Sequence, residues 1–278
     1  MDPSPATGAP ISEAEALNRL RQLEDPSQRY YAAWWLGRMR SQHPEAIPLL
    51  LQALNSALND PGSDPDLLFV ARNATRALGK LQSREALGSL LRALAHPDHG
   101  LREAAARSLG ELGDANAMPA LLERLQLPGA AEPASGGLRL CEPCEALLEA
   151  LGDLGCLGNN DCNQAVISVL ESFTEHSRPV VRCAACRALL QLSGDQRWAE
   201  PMLELLQDAQ LQVRRAALMD LGASGWRPAG PALANCLAEN SLKLIALRDL
   251  LEHPLGAPPP HQLGGEERDL LNLMDQLL

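Results

Sequence analysis

Aromatic residues are scarce in this chain: four tryptophans, two tyrosines and two phenylalanines among 278 residues. Large rings normally dominate the cores of globular domains, so the 46% hydrophobic fraction here must pack chiefly through alanine and leucine. No apolar run approaches the roughly 20 residues needed to cross a bilayer. A surplus of positive charge is also missing. The 35 acidic and 24 basic residues leave a net charge of −11, which argues against a nucleic-acid phosphate backbone as partner. No stretch alternates apolar and polar residues with period two, so strands are not expected. There is no glycine-rich phosphate loop, no nucleophile elbow and no histidine followed by glutamate. These absences remove the usual phosphoryl-transfer, serine-hydrolase and helical metal-site chemistries. Met1-Asp2-Pro3-Ser4-Pro5 has neither the basic nor the apolar region of a signal peptide, and a soluble cytoplasmic protein is expected.

What the chain does contain is one helical unit, seven times over. Its first half reads Arg29-Tyr30-Tyr31-Ala32-Ala33-Trp34-Trp35-Leu36-Gly37 and returns around Arg72–Gly79, Arg102–Gly110 and Glu145–Gly152. Three further copies lie at Arg182–Leu189, Arg214–Gly222 and Lys243–Leu250. The closing leucines (Leu36, Leu78, Leu109, Leu151, Leu189, Leu221, Leu250) are spaced 29 to 42 residues apart. A period near thirty, stretched by loops, marks a stacked helical solenoid. The second half carries Pro48, Pro119, Pro201 or Pro231 where a helix would start, a position that suits proline because the first-turn N–H has no helical partner. The glycine that follows five of these leucines (Gly37, Gly79, Gly110, Gly152 and Gly222) reads as a left-handed helix stop. The expected fold is all-α: a right-handed α-solenoid of about seven HEAT-like repeats.

The expected organisation is a disordered N-terminus over 1–11 and a repeat solenoid over 12–254, whose first helix opens at Ser12. A Pro/Gly linker then spans 255–265, and an amphipathic C-terminal helix spans 266–278, either capping the last repeat or docking onto a partner. Cys141, Cys144, Cys156 and Cys162 loosely imitate a zinc-ligand series. Because Cys144, Cys183 and Cys186 occupy repeat-helix positions, buried reduced thiols are the expected reading, and no metal site is expected.

Function belongs on a stripe of side chains that packing leaves variable. It reads Tyr30, Tyr31 and Trp34; then Arg72, Asn73 and Arg76; then Glu103 with Arg107 and Glu145 with Glu149. Cys183 with Arg187, Arg215 with Met219, and Leu244, Ile245 and Arg248 complete it. Residues four apart share a helix face, so Tyr30 over Trp34 and Tyr31 over Trp35 are expected to stack. An aromatic wall beside Arg72 and Arg76 suits a flat, conjugated, carboxylated ligand held bidentately; solvated ion pairs are the alternative for the arginines. Asp220 and Asp249 replace alanine or serine one turn before their helices end, with Arg214 or Arg215 as the expected partners of Asp220. In His96-Pro97-Asp98-His99, Asp98 reads as a helix cap.

The Arg-x-x-Ala-Ala-x-x-Leu-Gly unit resembles the HEAT-like repeat of the phycobilin lyases. The resemblance tightens at Arg29–Arg38, at Arg72–Leu81, and from Leu211-Gln212-Val213-Arg214-Arg215 to His253. Within that family the likeness is to the E-type subunits of heterodimeric lyases. It implies an F-type lyase subunit as partner, the phycocyanin α subunit as acceptor and phycocyanobilin as substrate, with no separate cofactor. It also accounts for the missing nucleophile: the acceptor's own cysteine adds to ring A of the bilin, and the lyase holds and orients the chromophore. Tyr30, Tyr31, Trp34, Arg72, Asn73, Arg76, Arg107 and Arg215 are then the expected bilin-binding residues. Glu103 and Asp220 are the candidate catalytic carboxylates that keep the bilin protonated. The alternatives are a lyase-isomerase for another bilin or phycobiliprotein, and a non-catalytic phycobilisome-binding scaffold or degradation adaptor.

Overall fold

In a computed structural model the described residues are 11–60, 62, 64–135, 137, 139–155, 160–256 and 262–278, with residues 160–163 described by backbone only. Residues 1–10, Cys156, the Cys162 side chain and linker residues 257–261 lie outside them. The described secondary structure is helical apart from one isolated bridge, Pro133 to Leu140. Contacts divide the chain into two compact units, Met1–Ala117 and Met118–Leu278.

The first unit holds α1 (Glu13–Arg21), α2 (Pro26–Arg38), α3 (Ala46–Asn59), α4 (Pro65–Lys80), α5 (Leu87–Leu94) and α6 (His99–Leu112). The first-half helices α2, α4 and α6 stack in one row; α3 and α5 form the second, and α1 packs on α2 and α3. Ser12, Asp25, Asp64 and Asp98 cap α1, α2, α4 and α6 by accepting backbone N–H bonds, which satisfies donors that a helix start leaves unpaired.

The second unit repeats the plan. It comprises α7 (Met118–Leu125), α8 (Cys144–Gly155), α9 (Asn160–Ser172), α10 (Pro179–Ser193), α11 (Ala199–Leu205), α12 (Leu211–Ser224), α13 (Gly230–Asn235), α14 (Asn240–Glu252) and α15 (Gly265–Asp275). Helices α8, α10, α12 and α14 form the first-half row, while α7, α9, α11 and α13 pack beside it. Helix α15 lies on α13 and α14, burying Leu270, and Arg227 meets Glu267 at 2.7 Å.

The repeated glycine has a different cause from the one expected. Gly37, Gly79, Gly152 and Gly222 sit inside α2, α4, α8 and α12, and the left-handed caps are Gly113, Gly194 and Gly225. A Cβ on Gly37 would lie 2.7 Å from the Ala77 Cα, and one on Gly79 would lie 2.7 Å from the Ser108 Cα. On Gly152 and Gly222 it would lie 2.8 Å from the Ala188 Cα and 2.6 Å from the Ala246 Cα. The glycine is therefore a contact surface between neighbouring first-half helices rather than a stop signal.

The repeated arginine is also structural. Arg102 Nη1 donates to the His96 and Pro97 carbonyls, Arg182 Nη1 to those of His176 and Ser177, and Arg214 Nη1 to those of Asp208 and Ala209. Each arginine thus reaches back six and five residues and ties down the turn that leads into its own helix, where the carbonyls have no helical partner. In the same turns His96 Nδ1, His176 Nδ1 and Asp208 Oδ1 accept a backbone N–H from two residues further on.

Cys144, Cys183, Cys186 and Cys236 are buried thiols and Cys141 is exposed. Burial, aided by nearby carboxylates, pushes Cys144 up to about 12, and burial pushes Cys186 up to about 11. Because the thiolate is the reactive form, these two should stay unalkylated in native protein at pH 8 while Cys141 reacts, and both should label on unfolding. Mass spectrometry after iodoacetamide treatment checks this. The glycine argument has its own test by urea unfolding. Gly79→Ala should cost about 1–3 kcal/mol through forced separation of α4 and α6. Gly88→Ala, inside α5 with nothing within 4 Å of the added atom, should be neutral or stabilise by up to about 1 kcal/mol.

Candidate functional site

The first unit presents an open aromatic face. Tyr30, Tyr31 and Trp34 on α2 are 43%, 40% and 44% exposed, whereas Trp35 is half-buried. The stacked pair is Tyr31 with Trp34, ring centroids 5.4 Å apart at 27°. That is an i,i+3 contact rather than the i,i+4 pairs expected. The rings lie outside because the α2–α4 contact is too close for them; the small residues Ala32, Ala33 and Gly37 occupy the buried side. Phe69, absent from the sequence-based stripe, adds a fourth exposed ring on α4, with the Arg72 guanidinium 4.9 Å from its centroid. Its place three residues before Arg72 and seven before Arg76 was the available signal.

The arginines of the stripe divide sharply. Arg72 does not present a free fork. Its Nε and Nη2 meet the two oxygens of Asp98 at 2.9 and 2.7 Å. Arg215 makes the corresponding bidentate pair with Glu239. Both arginines stand six residues before a closing leucine, and both carboxylates hold the N-cap position of the next first-half helix. Each pair therefore clasps neighbouring repeats. Asn73 is buried and donates Nδ2 to the Tyr30 carbonyl, fixing α4 to α2. Arg107 pairs with Glu103 one turn away at 3.6 Å. Arg76 is exposed, with a 3.4 Å bond from Nη1 to Asn73 Oδ1. It stands two residues before Leu78, the register that Trp34 holds before Leu36 on the neighbouring helix.

The second unit carries a buried charge network. Asp220 on α12 is 7% exposed, and its partner is Arg187 of α10 rather than Arg214 or Arg215. Arg214 is committed to carbonyls and Arg215 to Glu239. Arg187 Nη1 lies 3.4 Å from Asp220 Oδ1 and Nη2 lies 2.6 Å from Asp153 Oδ1. Burial alone would lower the Arg187 pKa, but Asp153 and Asp220 outweigh it and raise it. The Cys183 thiol also hydrogen-bonds Asp220 and is itself pushed up by burial. Asp153 was missed from sequence, where it lies beyond a closing leucine and outside the variable stripe.

Asp98 combines two roles, capping α6 through Leu101 N–H at 2.7 Å and holding Arg72. Burial would raise its pKa, yet the hydrogen bonds and charge of its partners hold it below the usual carboxylate value. Its contribution to stability is therefore complete above the unfolded-state value and is lost as pH falls through the lower folded-state value. Asp98→Ala should cost about 1–2 kcal/mol at pH 7 from the lost cap. Urea titrations at pH 7 and pH 3 should show that gap narrowing in acid.

The HEAT-repeat model matches residues 64–132, 144–222 and 164–251, and the PBS lyase HEAT-like repeat model matches residues 28–56. The chain is thus a HEAT-repeat α-solenoid. It is 46% identical to the bilin biosynthesis protein RpcE of a Synechococcus species, over 97% of this chain and 96% of that protein. It is 44% identical to the phycocyanobilin lyase subunit alpha of a Picosynechococcus species, over 95% of both. It also matches a chain in the solved complex of CpcE and CpcF of phycocyanin lyase from Nostoc at TM-score 0.83 and 40% identity, covering 100% of this chain and 99% of that one. The chain belongs to the family of phycocyanobilin lyase alpha subunits. Among the described residues, no helix is long and apolar enough to cross a membrane.

Proposed function

We propose that this chain is the E-type subunit of a cytoplasmic bilin lyase, acting with an F-type subunit to attach phycocyanobilin to a cysteine of the phycocyanin α subunit. The observation that carries the reading is likeness along the whole chain to lyase alpha subunits, including one solved with its partner. In the reaction the acceptor's thiol adds across the ring-A ethylidene double bond. Sulfur bonds to the outer carbon and hydrogen goes to the ring carbon, so nothing is oxidised or reduced. The lyase supplies no nucleophile. It supplies a fixed pose, which can contribute several kcal/mol of barrier lowering.

The exposed rings Tyr30, Tyr31, Trp34 and Phe69 give a flat conjugated ligand a stacking surface. Arg76 is the arginine of that face with donors left for a propionate. Arg72 and Arg215 serve through the ion pairs that clasp neighbouring repeats, and Asn73 through its bond to the Tyr30 carbonyl. The experiment is co-expression with an F-type subunit, the phycocyanin α subunit and bilin-forming enzymes. A zinc-fluorescent pigment that survives denaturation and needs both lyase chains is the expected product; a soluble complex without adduct would overturn the lyase reading in favour of a scaffold. Trp34→Ala should weaken bilin binding about tenfold, or about 1.4 kcal/mol, as measured by fluorescence quenching.

A further inference from the structure

Phycocyanobilin carries two propionates, one on each of its neighbouring central rings, and both are charged at neutral pH. Arg76 can pair with one of them. The other needs a second cation on the same face, and the packing of the first unit supplies it.

The glycine contacts fix which residues stand side by side. Gly37 on α2 lies against Ala77, and Gly79 on α4 lies against Ser108. Arg76 directly precedes Ala77, and Arg107 directly precedes Ser108. Arg107 is therefore to α4 what Arg76 is to α2. Trp34, Arg76 and Arg107 each stand two residues before a closing leucine, so one indole and two guanidiniums form a column across α2, α4 and α6. Helices packed this closely lie about 8 Å apart, a span that two flexible propionates on neighbouring rings can bridge.

The charges around the column favour an anion. Residues four apart share a helix face, so the stripe continues into Arg38 and Lys80 on one side and Arg72 on the other. Its carboxylates are Asp98, bound to Arg72, and Glu103 and Glu111, one turn to either side of Arg107. Five cations thus meet three carboxylates here, in a chain whose net charge is −11.

Arg107 has a partner of its own, but a loose one. Its Nε lies 3.6 Å from Glu103 Oε1, and the two side chains are 44% and 40% exposed. An open pair of this kind, one helical turn apart, is weak and readily exchanged. The Arg72–Asp98 fork is different: its bonds are 2.9 and 2.7 Å long, and its side chains are 24% and 20% exposed.

We propose that Arg107 is the second propionate-binding arginine of this subunit, and that Glu103 holds its guanidinium in place until the propionate displaces it. The assignment rests on the lyase reading above and adds how the ligand's two charges are received. The site lies wholly in the first unit, with the rings of α2 under the conjugated plane and Arg76 and Arg107 at its propionate edge. Glu103 then competes with the ligand instead of protonating it. No covalent bond changes; one ion pair replaces another.

The test uses the full-length chain with its F-type subunit. Binding of phycocyanobilin is compared with binding of its dimethyl ester by fluorescence quenching, since esterification keeps the conjugated plane and removes both charges. Arg107→Ala should weaken binding of the free acid about tenfold and leave the ester within about twofold. Glu103→Gln should tighten the free acid about twofold and leave the ester unchanged. The sign is what discriminates, because removing a carboxylate that binds or protonates the chromophore would weaken binding. Equal loss of both ligands in folded Arg107→Ala, or loss of neither, would overturn the assignment. So would a Glu103→Gln complex that binds the free acid more weakly, a result that does not depend on Arg107→Ala folding. Adduct formation by the wild-type pair is scored separately. Adduct without discrimination between acid and ester would remove Arg107 from the site alone, whereas neither binding nor adduct would remove the lyase reading with it.

Discussion

A Cβ on Gly37 would stand 2.7 Å from a backbone atom of α4, and one on Gly79 equally near a backbone atom of α6. The pairs α2–α4, α4–α6, α8–α10 and α12–α14 therefore touch main chain to main chain, and much of each unit follows from that separation. At such a distance only glycine, alanine and serine fit between the helices; Ala77, Ser108, Ala188 and Ala246 face the glycines. Large side chains are driven either to the leucine layer between the two helix rows or outward to solvent. The scarcity of rings and their concentration in α2 share this cause, because an indole in the contact would separate the helices and break the clasps between repeats.

The same spacing decides what charged residues can do. With helices this close, an arginine at the right register reaches the N-cap of the next first-half helix, as Arg72 and Arg215 do, or two neighbours at once, as Arg187 does. The repeat arginine one position before the clasp turns back to its own entry turn. Three kinds of arginine, alike in sequence, thus have three structural duties. A side chain whose donors are already aligned on a carboxylate gains little by exchanging it for a ligand's, so the cations that can meet a ligand are few. Arg76 qualifies because α4 carries Asn73, a neutral side chain, where a carboxylate would otherwise engage it.

This is why the fold was more legible in the sequence than the site. The alanine and leucine pattern recurs seven times, five of them with a glycine after the closing leucine, and each recurrence reinforces the helical period and the pairing of halves. In sequence the repeated glycine reads as a helix stop because a stop and a close helix contact both demand glycine, and only the neighbour's position separates them. The exposed faces of Tyr30, Tyr31 and Trp34 could be read from helical spacing alone. The partners could not. Arg72 meets a carboxylate 26 residues away and Arg187 one 33 residues away, and those distances depend on loop lengths that differ between repeats. Asp153 is not legible in the sequence because its partner Arg187 stands on another helix, 34 residues away.

A surface of this kind can catalyse without a nucleophile. When the attacking thiol arrives on a second protein, the barrier includes the improbability of bringing a flexible tetrapyrrole, in one conformation and protonation state, to that thiol in one orientation. Under the proposed function, exposed rings would restrict the conjugated plane and a guanidinium would restrict a propionate. Each restriction acts before the thiol approaches and so removes disorder that the transition state would otherwise have to remove. Rigid stacking of small residues suits that task. A row of helices that cannot separate without breaking several clasps keeps its surface groups in register, and the precision of the pose is inherited from the closeness of the helices beneath it.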